Sequence, residues 1–116
     1  MPRFGRILSA MVTPFDAAGA VDYDVAKQLA KHLVAEGNDG LVVCGTTGES
    51  PTLTDDEKLG LFAAVVEAVD VPVIAGTVGY DTAHSIELSQ RAAKLGVHAI
   101  LSLCPFYSRP SQAGIE

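Results

Sequence analysis

Apolar residues occur along this chain in two alternating patterns: short continuous runs, and longer stretches in which they recur every three or four residues. The continuous runs predict β-strands that are apolar on both faces, as in a buried parallel sheet. These strands are expected at residues 7–13, 40–44, 71–75 and 98–103. Successive strands begin roughly 30 residues apart, the size of a βαβ unit, so the pattern predicts an alternating α/β protein.

The first helix is bounded by two capping signals. Asp22 is a favoured N-cap residue, and Gly37 suits the left-handed position that follows a helix. Between them, Val25, Leu29 and Leu33 recur every four residues. This spacing predicts an apolar stripe that faces the sheet.

Similar signals delimit two further helices. Thr54 is followed by Glu57 in the spacing of a capping box. Asp81 or Thr82 is expected to begin the next helix, which Gly96 ends. The apolar positions expected to face the sheet are Leu59, Phe62, Val66, Ile86 and Ala93.

Parallel strands that alternate with helices form either a doubly wound open sheet or a (β/α)8 barrel, and the pattern alone leaves both open. Residues 111–116 have the features of a helix beginning, with Ser111 as N-cap, and carry no C-terminal signal. The expectation is therefore that residues 1–116 are the N-terminal part of a single domain, truncated at the start of the fourth helix.

Composition and charge restrict the classes of partner. The 116 residues carry a net charge of −6 without a basic cluster, which argues against nucleic acid or an anionic membrane. No apolar run reaches the roughly 18 residues of a membrane span, and residues 1–7 lack the apolar core of a signal peptide. The expected compartment is the cytoplasm, with Cys44 and Cys104 as small buried strand residues.

Chemistry is expected where the strands end, because ligands of parallel α/β folds bind at the carboxyl ends. Residues 45–50 contain two glycines that allow a sharp turn, while Thr46 and Thr47 offer hydroxyl and N–H groups. Such groups suit a carboxylate or a developing oxyanion. The alternative is an ordinary tight turn between strand and helix. Neither glycine-rich nucleotide motif is present.

A second candidate is Tyr107, a phenol between prolines after the fourth strand, which can relay protons. The alternatives are a packed surface aromatic for Tyr107 and a solvated side chain for Arg109. No lysine falls at the end of a predicted strand, so none is a good Schiff-base candidate. The histidines lie on helices or before a strand, so no metal site is expected.

Four stretches together resemble the 4-hydroxy-tetrahydrodipicolinate synthase family. Residues 45–54 have its second-strand motif, Gly-Thr-Thr-Gly-Glu-Ser followed by Pro-Thr-Leu-Thr. Residues 72–77, Pro-Val-Ile-Ala-Gly-Thr, resemble its third strand. Residues 105–112, Pro-Phe-Tyr-Ser-Arg-Pro-Ser-Gln, match its Pro-Tyr-Tyr-Asn-Lys/Arg-Pro-Ser/Thr-Gln stretch, and residues 13–15 also fit. The matches follow one another in order over nearly the whole chain.

The resemblance implies a (β/α)8 barrel, with only about the first four strands and three helices present. It implies a lyase that condenses pyruvate with L-aspartate 4-semialdehyde through a lysine Schiff base, on the route to diaminopimelate and lysine. Neither a metal nor an organic cofactor is implied.

The resemblance also assigns roles by position. Thr47 would bind the pyruvate carboxylate, and Thr46 would join two tyrosines in a proton relay. Tyr107 would be the relay member that enters the site of a neighbouring subunit, which implies a homodimer or homotetramer. Ala10 would line the pyruvate pocket, and the Schiff-base lysine would lie beyond Glu116.

Several positions depart from the family pattern. Phe106 replaces the first tyrosine of the pair. Tyr80 and His84 stand near positions where lysine-inhibited members tend to have Asn and Glu, and Asp55 and Lys58 stand where those members tend to have histidines. Without a carboxylate at position 84, an ammonium group loses its natural partner. The hypothesis is therefore that this protein lacks strong lysine feedback.

Two alternatives stay open. One is a related pyruvate-dependent aldolase such as an N-acetylneuraminate lyase, whose motif usually has Gly-Ser-Thr-Gly-Glu in place of Gly-Thr-Thr. The other is a non-catalytic half-barrel that serves as a binding module, which the lack of a strand-end lysine favours. Residues 1–116 alone are expected to be inactive, and to aggregate or pair through the bare edges of the first and fourth strands.

Overall fold

Parallel strands alternate with helices along residues 3–116, the part of the chain that the computed structural model describes. The strands are β1 (Leu8–Ala10), β2 (Gly40–Val43), β3 (Val73–Gly76) and β4 (Ala99–Leu101). The helices are α1 (Tyr23–Ala35), α2 (Asp55–Ala68), α3 (Thr82–Lys94) and the short α4 (Gln112–Ile115), with a 3-10 turn at Ser50–Thr52. Met1 and Pro2, the start of the segment considered for a signal peptide, lie outside the described residues.

The strands lie in the sheet in chain order, and every neighbouring pair is parallel. This order confirms the alternating α/β prediction. The first and last strands are shorter than predicted, because the residues after them leave the sheet as loops at its carboxyl end. The fourth helix begins as predicted, since the Ser111 hydroxyl accepts the N–H of Gly114 at 3.2 Å.

The N-cap predictions are confirmed for the three longer helices. The Asp22 carboxylate accepts a backbone N–H of α1, and Thr54 and Glu57 form both bonds of the capping box on α2. Asp81 caps α3 by accepting the N–H of His84 at 3.2 Å. Each cap satisfies a helix N–H that has no partner within its own helix.

Left-handed glycines end two helices as predicted. Gly37 has φ 105° after α1, and Gly96 has φ 93° after α3. After α1, the N–H of Asn38 donates to the Leu33 carbonyl and the N–H of Gly37 to the Val34 carbonyl, both at 3.1 Å. These two bonds form a Schellman motif, which turns the chain sharply towards β2.

One face of the sheet is covered by helices, and the opposite face has no covering layer within residues 3–116. The fully buried side chains of β2 and β3 on the covered face are Leu41, Val43, Val73 and Ala75. The registered neighbours Ala10, Val42 and Ile74 share the opposite face, where Ala10 is exposed. The prediction of two buried faces holds for β3, whose four residues are all buried, but not for β1, whose residues on the opposite face are exposed. The reason is that α1, α2 and α3 contribute to a core on one side of the sheet.

The predicted apolar stripe of α2 packs on the core, where Phe62 is fully buried and Leu59 and Val66 pack beside it, whereas α1 and α3 depart from the prediction in part. In α1, Ala26 and Ala30 are fully buried while Val25 is 42% exposed. In α3, Ile86 is 54% exposed and Ala93 is also exposed. The buried residues of α3 are Ser85, Leu88 and Ala92. Small residues are buried at several of these positions because they let a helix pack close to the strands.

The exposed side of α3 faces an open groove. Ile86 and Ala93 line this cavity of about 790 Å³ together with Ile100 of β4 and Ile115 of α4. Ile86 and Ala93 of α3 therefore lie on the side of the helix that faces β4, but the open groove separates them from that strand. On that side of β4, within residues 3–116, lie the four residues of α4 and part of the loop that precedes them.

The two cysteines differ. Cys44 is buried as predicted, whereas the prediction for Cys104 is wrong because β4 ends at Leu101 and Cys104 lies exposed in the following loop. No helix among the described residues has the length and apolar content that a membrane span requires.

Candidate active site

The loop after β2 is a tight turn that exposes two threonines. Its carbonyl at Gly45 accepts the N–H of Gly48 at 3.1 Å and that of Ser50 at 3.3 Å. Cys44 before the turn has φ 57°, a left-handed conformation that costs a non-glycine residue about 1–2 kcal/mol. Thr46 and Thr47 are exposed at the top of this turn. The segment is therefore a tight turn that also exposes two hydroxyls, so the interpretation as a turn and the interpretation as a binding loop are compatible.

Thr13, in the segment that follows β1, anchors the loop after β2 through a hydrogen bond. Its buried hydroxyl donates to the Gly48 carbonyl at 2.6 Å. The bond joins the segment after β1 to the turn that carries the two threonines. The sequence marks Thr13 only as a residue at a strand end, and its role depends on a partner 35 positions away.

Gly76 allows the ends of β2 and β3 to approach each other. A Cβ atom at this position would lie 2.1 Å from the Cys44 carbonyl oxygen, well inside contact distance. The next residue, Thr77, is buried, and its hydroxyl lies 2.5 Å from that of Ser89 on α3. The β3 loop is thus held against both the β2 loop and its own helix.

Ser85 extends this hydroxyl network. It accepts the N–H of Gly79 at 3.0 Å and donates to the carbonyl of Asp81 at 2.7 Å. Both bonds span the loop between β3 and α3, which carries Tyr80. The roles of Ser85 and Ser89 were missed by sequence reasoning, because serine in a helix carries no signal of a loop partner.

Tyr107 stands at the carboxyl end of the sheet, in the loop after β4, with 87% of its surface exposed. Thr46 follows β2 at the same end, since the strands are parallel. No hydrogen bond joins Tyr107 to Thr46 within residues 3–116. The neighbouring Phe106 packs against Tyr80, with ring centroids 4.9 Å apart and an interplanar angle of 43°.

Ala10 ends β1 on the face of the sheet that the helices leave uncovered. Its registered neighbour on this face is Val42, two residues before Cys44. Ala10 thus lies at the carboxyl end of the strand beside the one that leads to Thr46 and Thr47. The four predicted site residues share one end of the sheet, and no hydrogen bond within residues 3–116 joins their side chains.

One ionisable side chain beside these loops, Cys44, has a strongly shifted pKa. Burial raises the pKa of the Cys44 thiol to about 12, with a smaller opposing effect from Lys58. The thiol beneath the threonines is therefore neutral near pH 7 and is not a nucleophile there. No cluster of three metal-ligating side chains occurs among residues 3–116.

Comparison with known proteins gives the fold a wider context. Strands in chain order, helices on one face and hydroxyl-bearing loops at the carboxyl ends define a parallel α/β protein whose candidate site lies at the strand ends. Residues 3–116 match the model of the dihydrodipicolinate synthetase family. The chain therefore belongs to that family, as its motifs indicate.

A curated relative and two solved structures support this assignment. The chain is 59% identical to the 4-hydroxy-tetrahydrodipicolinate synthase of Symbiobacterium thermophilum, with 99% of this chain and 40% of the relative covered. The crystal structure of a Bacillus anthracis dihydrodipicolinate synthase superimposes with a TM-score of 0.94 at 48% identity, covering 99% of this chain and 40% of that one. The lysine-bound enzyme of Cyanidioschyzon merolae has a TM-score of 0.93 at 46% identity, covering 97% and 39%.

These similarities decide between the two folds that the pattern leaves open. The described strands are the first four of a (β/α)8 barrel, not those of a doubly wound sheet. The chain spans about 40% of the length of the curated relatives it matches. The uncovered face corresponds to the barrel interior, where strands from around the barrel pack in layers.

Proposed function

We propose that the protein containing this chain condenses pyruvate with L-aspartate 4-semialdehyde to form 4-hydroxy-tetrahydrodipicolinate. The observation that carries the proposal is the 59% identity to a 4-hydroxy-tetrahydrodipicolinate synthase across nearly the whole chain. In this reaction a lysine amine attacks the keto carbon of pyruvate and water leaves. The resulting Schiff base loses a methyl proton to become an enamine, whose carbon attacks the aldehyde. The amine of the semialdehyde then attacks the Schiff-base carbon, which closes the ring and releases the lysine. Such covalent catalysis divides a difficult condensation into easier steps.

Thr47 and Thr46 divide the work of the β2 loop in this proposal. Thr47 binds the pyruvate carboxylate through its hydroxyl and N–H, a charge-assisted contact. Thr46 passes protons between Tyr107 and a second tyrosine. Ala10 lines the pyruvate pocket, where its small side chain leaves room for the substrate. The exposure of both threonines beside a turn held by Thr13 supports these roles.

Tyr107 acts in this proposal at the site of a neighbouring subunit, so the whole enzyme is a homodimer or homotetramer. Its 87% exposure supports that role, because the phenol is free to enter a second protomer. The compartment in which we expect the enzyme to work is the cytoplasm, where amino-acid biosynthesis takes place.

The Schiff-base lysine comes from outside residues 1–116 in this proposal. The lysines of the sequence all lie in helices: Lys27 and Lys31 in α1, Lys58 in α2 and Lys94 in α3. A helical position on the outside of the barrel keeps an amine away from the carboxyl ends of the strands. Residues 1–116 therefore have no activity alone, and the reaction requires neither a metal nor an organic cofactor.

Weak lysine feedback is part of the same proposal. Nε2 of His84 lies 2.6 Å from Oδ2 of Asp55, so the Asp55 carboxylate already has a partner. Position 84 supplies an imidazole where an incoming ammonium group needs a carboxylate. Lysine would have to displace this pair without gaining an acidic partner at position 84.

Borohydride trapping tests the proposed chemistry. The full-length protein, incubated with pyruvate and then reduced, should gain the mass of one reduced pyruvate adduct per subunit. A separate, unreduced sample given pyruvate and L-aspartate 4-semialdehyde should form the condensation product at rates typical of enzymes. A protein that traps pyruvate but cleaves N-acetylneuraminate instead would be the related aldolase. A protein that traps nothing would be a binding module, and the proposed function would be wrong.

A further inference from the structure

The loop between β3 and α3 is held in place by side chains of its own helix. Ser85 accepts the N–H of Gly79 at 3.0 Å, and the hydroxyls of Thr77 and Ser89 lie 2.5 Å apart. Tyr80 lies between these bonds and the Asp81 cap of α3. Its backbone therefore has restricted freedom, and its ring projects from a fixed point.

The loop after β4 has a different character. Residues 102–110 contain two prolines and Arg109 with φ 46°, but no hydrogen bond within residues 3–116 joins this loop to the β3 loop. The contact between the two loops is the aromatic pair of Tyr80 and Phe106. Offset or tilted ring pairs at this distance attract each other beyond simple burial.

We propose that Tyr80 is a positioning residue that acts through Phe106 to set the location of Tyr107. Phe106 is 64% exposed and directly precedes Tyr107, so a shift of its ring moves the phenol beside it. Proton transfer needs the phenol within about 2.6–3.2 Å of its partner, and a small displacement of the loop disrupts that distance. This inference rests on the proposed function of Tyr107 as a relay residue.

The contact depends on the ring of Tyr80 and not on its hydroxyl. Tyr80 is 55% exposed, and its hydroxyl makes no hydrogen bond within residues 3–116. A phenylalanine at position 80 therefore preserves the positioning role, whereas leucine and alanine remove the ring. These substitutions form a matched series, because position 80 lies outside the β2 loop and has no assigned contact with substrate.

The experiment compares Tyr80→Phe, Tyr80→Leu and Tyr80→Ala in the full-length enzyme. The leucine and alanine variants should lower kcat by roughly three- to tenfold while the pyruvate KM stays within about twofold, and the phenylalanine variant should keep the wild-type kcat. Phe106→Ala should have a similar effect. The double variant Tyr80→Ala with Phe106→Ala should be no worse than the poorer single variant, because both changes break the same contact.

Hydrogen exchange of the peptide covering residues 102–110 provides a readout that does not need activity. Exchange should be faster in the leucine and alanine variants than in the wild type and the phenylalanine variant. Unchanged exchange and kcat in Tyr80→Ala would overturn the inference, as would equal damage by phenylalanine. If the wild-type enzyme formed no pyruvate adduct, the proposed function would be wrong. Faster exchange in Tyr80→Ala would still support the contact between the two loops.

Discussion

Nε2 of His84 on α3 lies 2.6 Å from Oδ2 of Asp55 on α2, within hydrogen-bonding distance. The pair joins the first turns of two neighbouring helices, close to the loops that carry the candidate site. Both side chains are partly exposed, so the pair contributes on the order of 0–1 kcal/mol to stability. The proposed weak lysine feedback depends on this contact, because it engages the Asp55 carboxylate.

We expect the full-length enzyme to keep its condensation rate in the presence of micromolar L-lysine. The physical reason is that His84 offers no carboxylate to the ammonium group and Asp55 is already paired. The measurement is initial rate against lysine concentration, with calorimetry for binding. The enzyme of C. merolae, whose structure has lysine bound, serves as the positive control for binding. Inhibition at micromolar lysine would contradict the hypothesis.

The two threonines of the β2 loop should have separable kinetic effects. Thr47→Val removes a hydrogen bond to a carboxylate and should raise the pyruvate KM by roughly tenfold or more, with a smaller change in kcat. Thr46→Val interrupts the relay and should lower kcat by about a hundredfold or more at nearly constant pyruvate KM. Steady-state kinetics of the full-length variants measure both. If the two variants had the same kinetic profile, the division of roles would be wrong.

Gly76→Ala should destabilise the fold severely. Its Cβ would lie 2.1 Å from the Cys44 carbonyl oxygen, so the backbone of β2 or β3 must move. We expect a loss of about 3 kcal/mol or more in the free energy of unfolding, measured by denaturant titration. Gly79→Ala is the matched control, because a Cβ there meets no atom within 4 Å. If the two variants were equally stable, β2 and β3 could move apart at position 76 without a loss of folding free energy, and the prediction would be wrong.

The Cys44 thiol should make stability depend on alkaline pH. Burial raises its pKa to about 12, so the folded state disfavours the thiolate that the unfolded chain forms more readily. The contribution is fully present below the ordinary thiol pKa of about 8.5 and is lost as pH rises from there towards the folded value. Cys44→Ala should therefore show a smaller loss of stability between pH 8 and 10 than the wild type. Parallel pH profiles for the two proteins would exclude this effect.

Residues 1–116 expressed alone should aggregate or associate. The uncovered sheet face carries the exposed apolar side chains Leu8 and Leu101, and β1 and β4 have no outer neighbour within residues 3–116. Exposed apolar faces and unpaired strands both promote association. Size-exclusion chromatography with light scattering measures the outcome. A monomer that unfolds cooperatively would contradict the predicted association. Condensation activity of the isolated segment would contradict its predicted inactivity.

The sequence by itself determined the parallel α/β architecture, the helix caps and the family. Caps such as Thr54 with Glu57 depend on residues three positions apart, so local pattern is sufficient for them. The motif at residues 45–50 likewise left a tight turn and a binding loop as alternatives, and the structure has a turn with both threonines exposed. Local spacing predicted the buried face of α2, but it did not predict that Val25 of α1 and Ile86 of α3 are exposed while small neighbours are buried.

Tertiary structure alone decided the contacts between loops. The Thr13 hydroxyl donates to the Gly48 carbonyl in the loop of the neighbouring strand, and the Tyr80 ring packs against Phe106, 26 positions later in the chain. Neither pair has a spacing that follows from helix or strand periodicity. They arise because parallel strands bring all their carboxyl ends together, so residues that are remote in sequence share one end of the sheet.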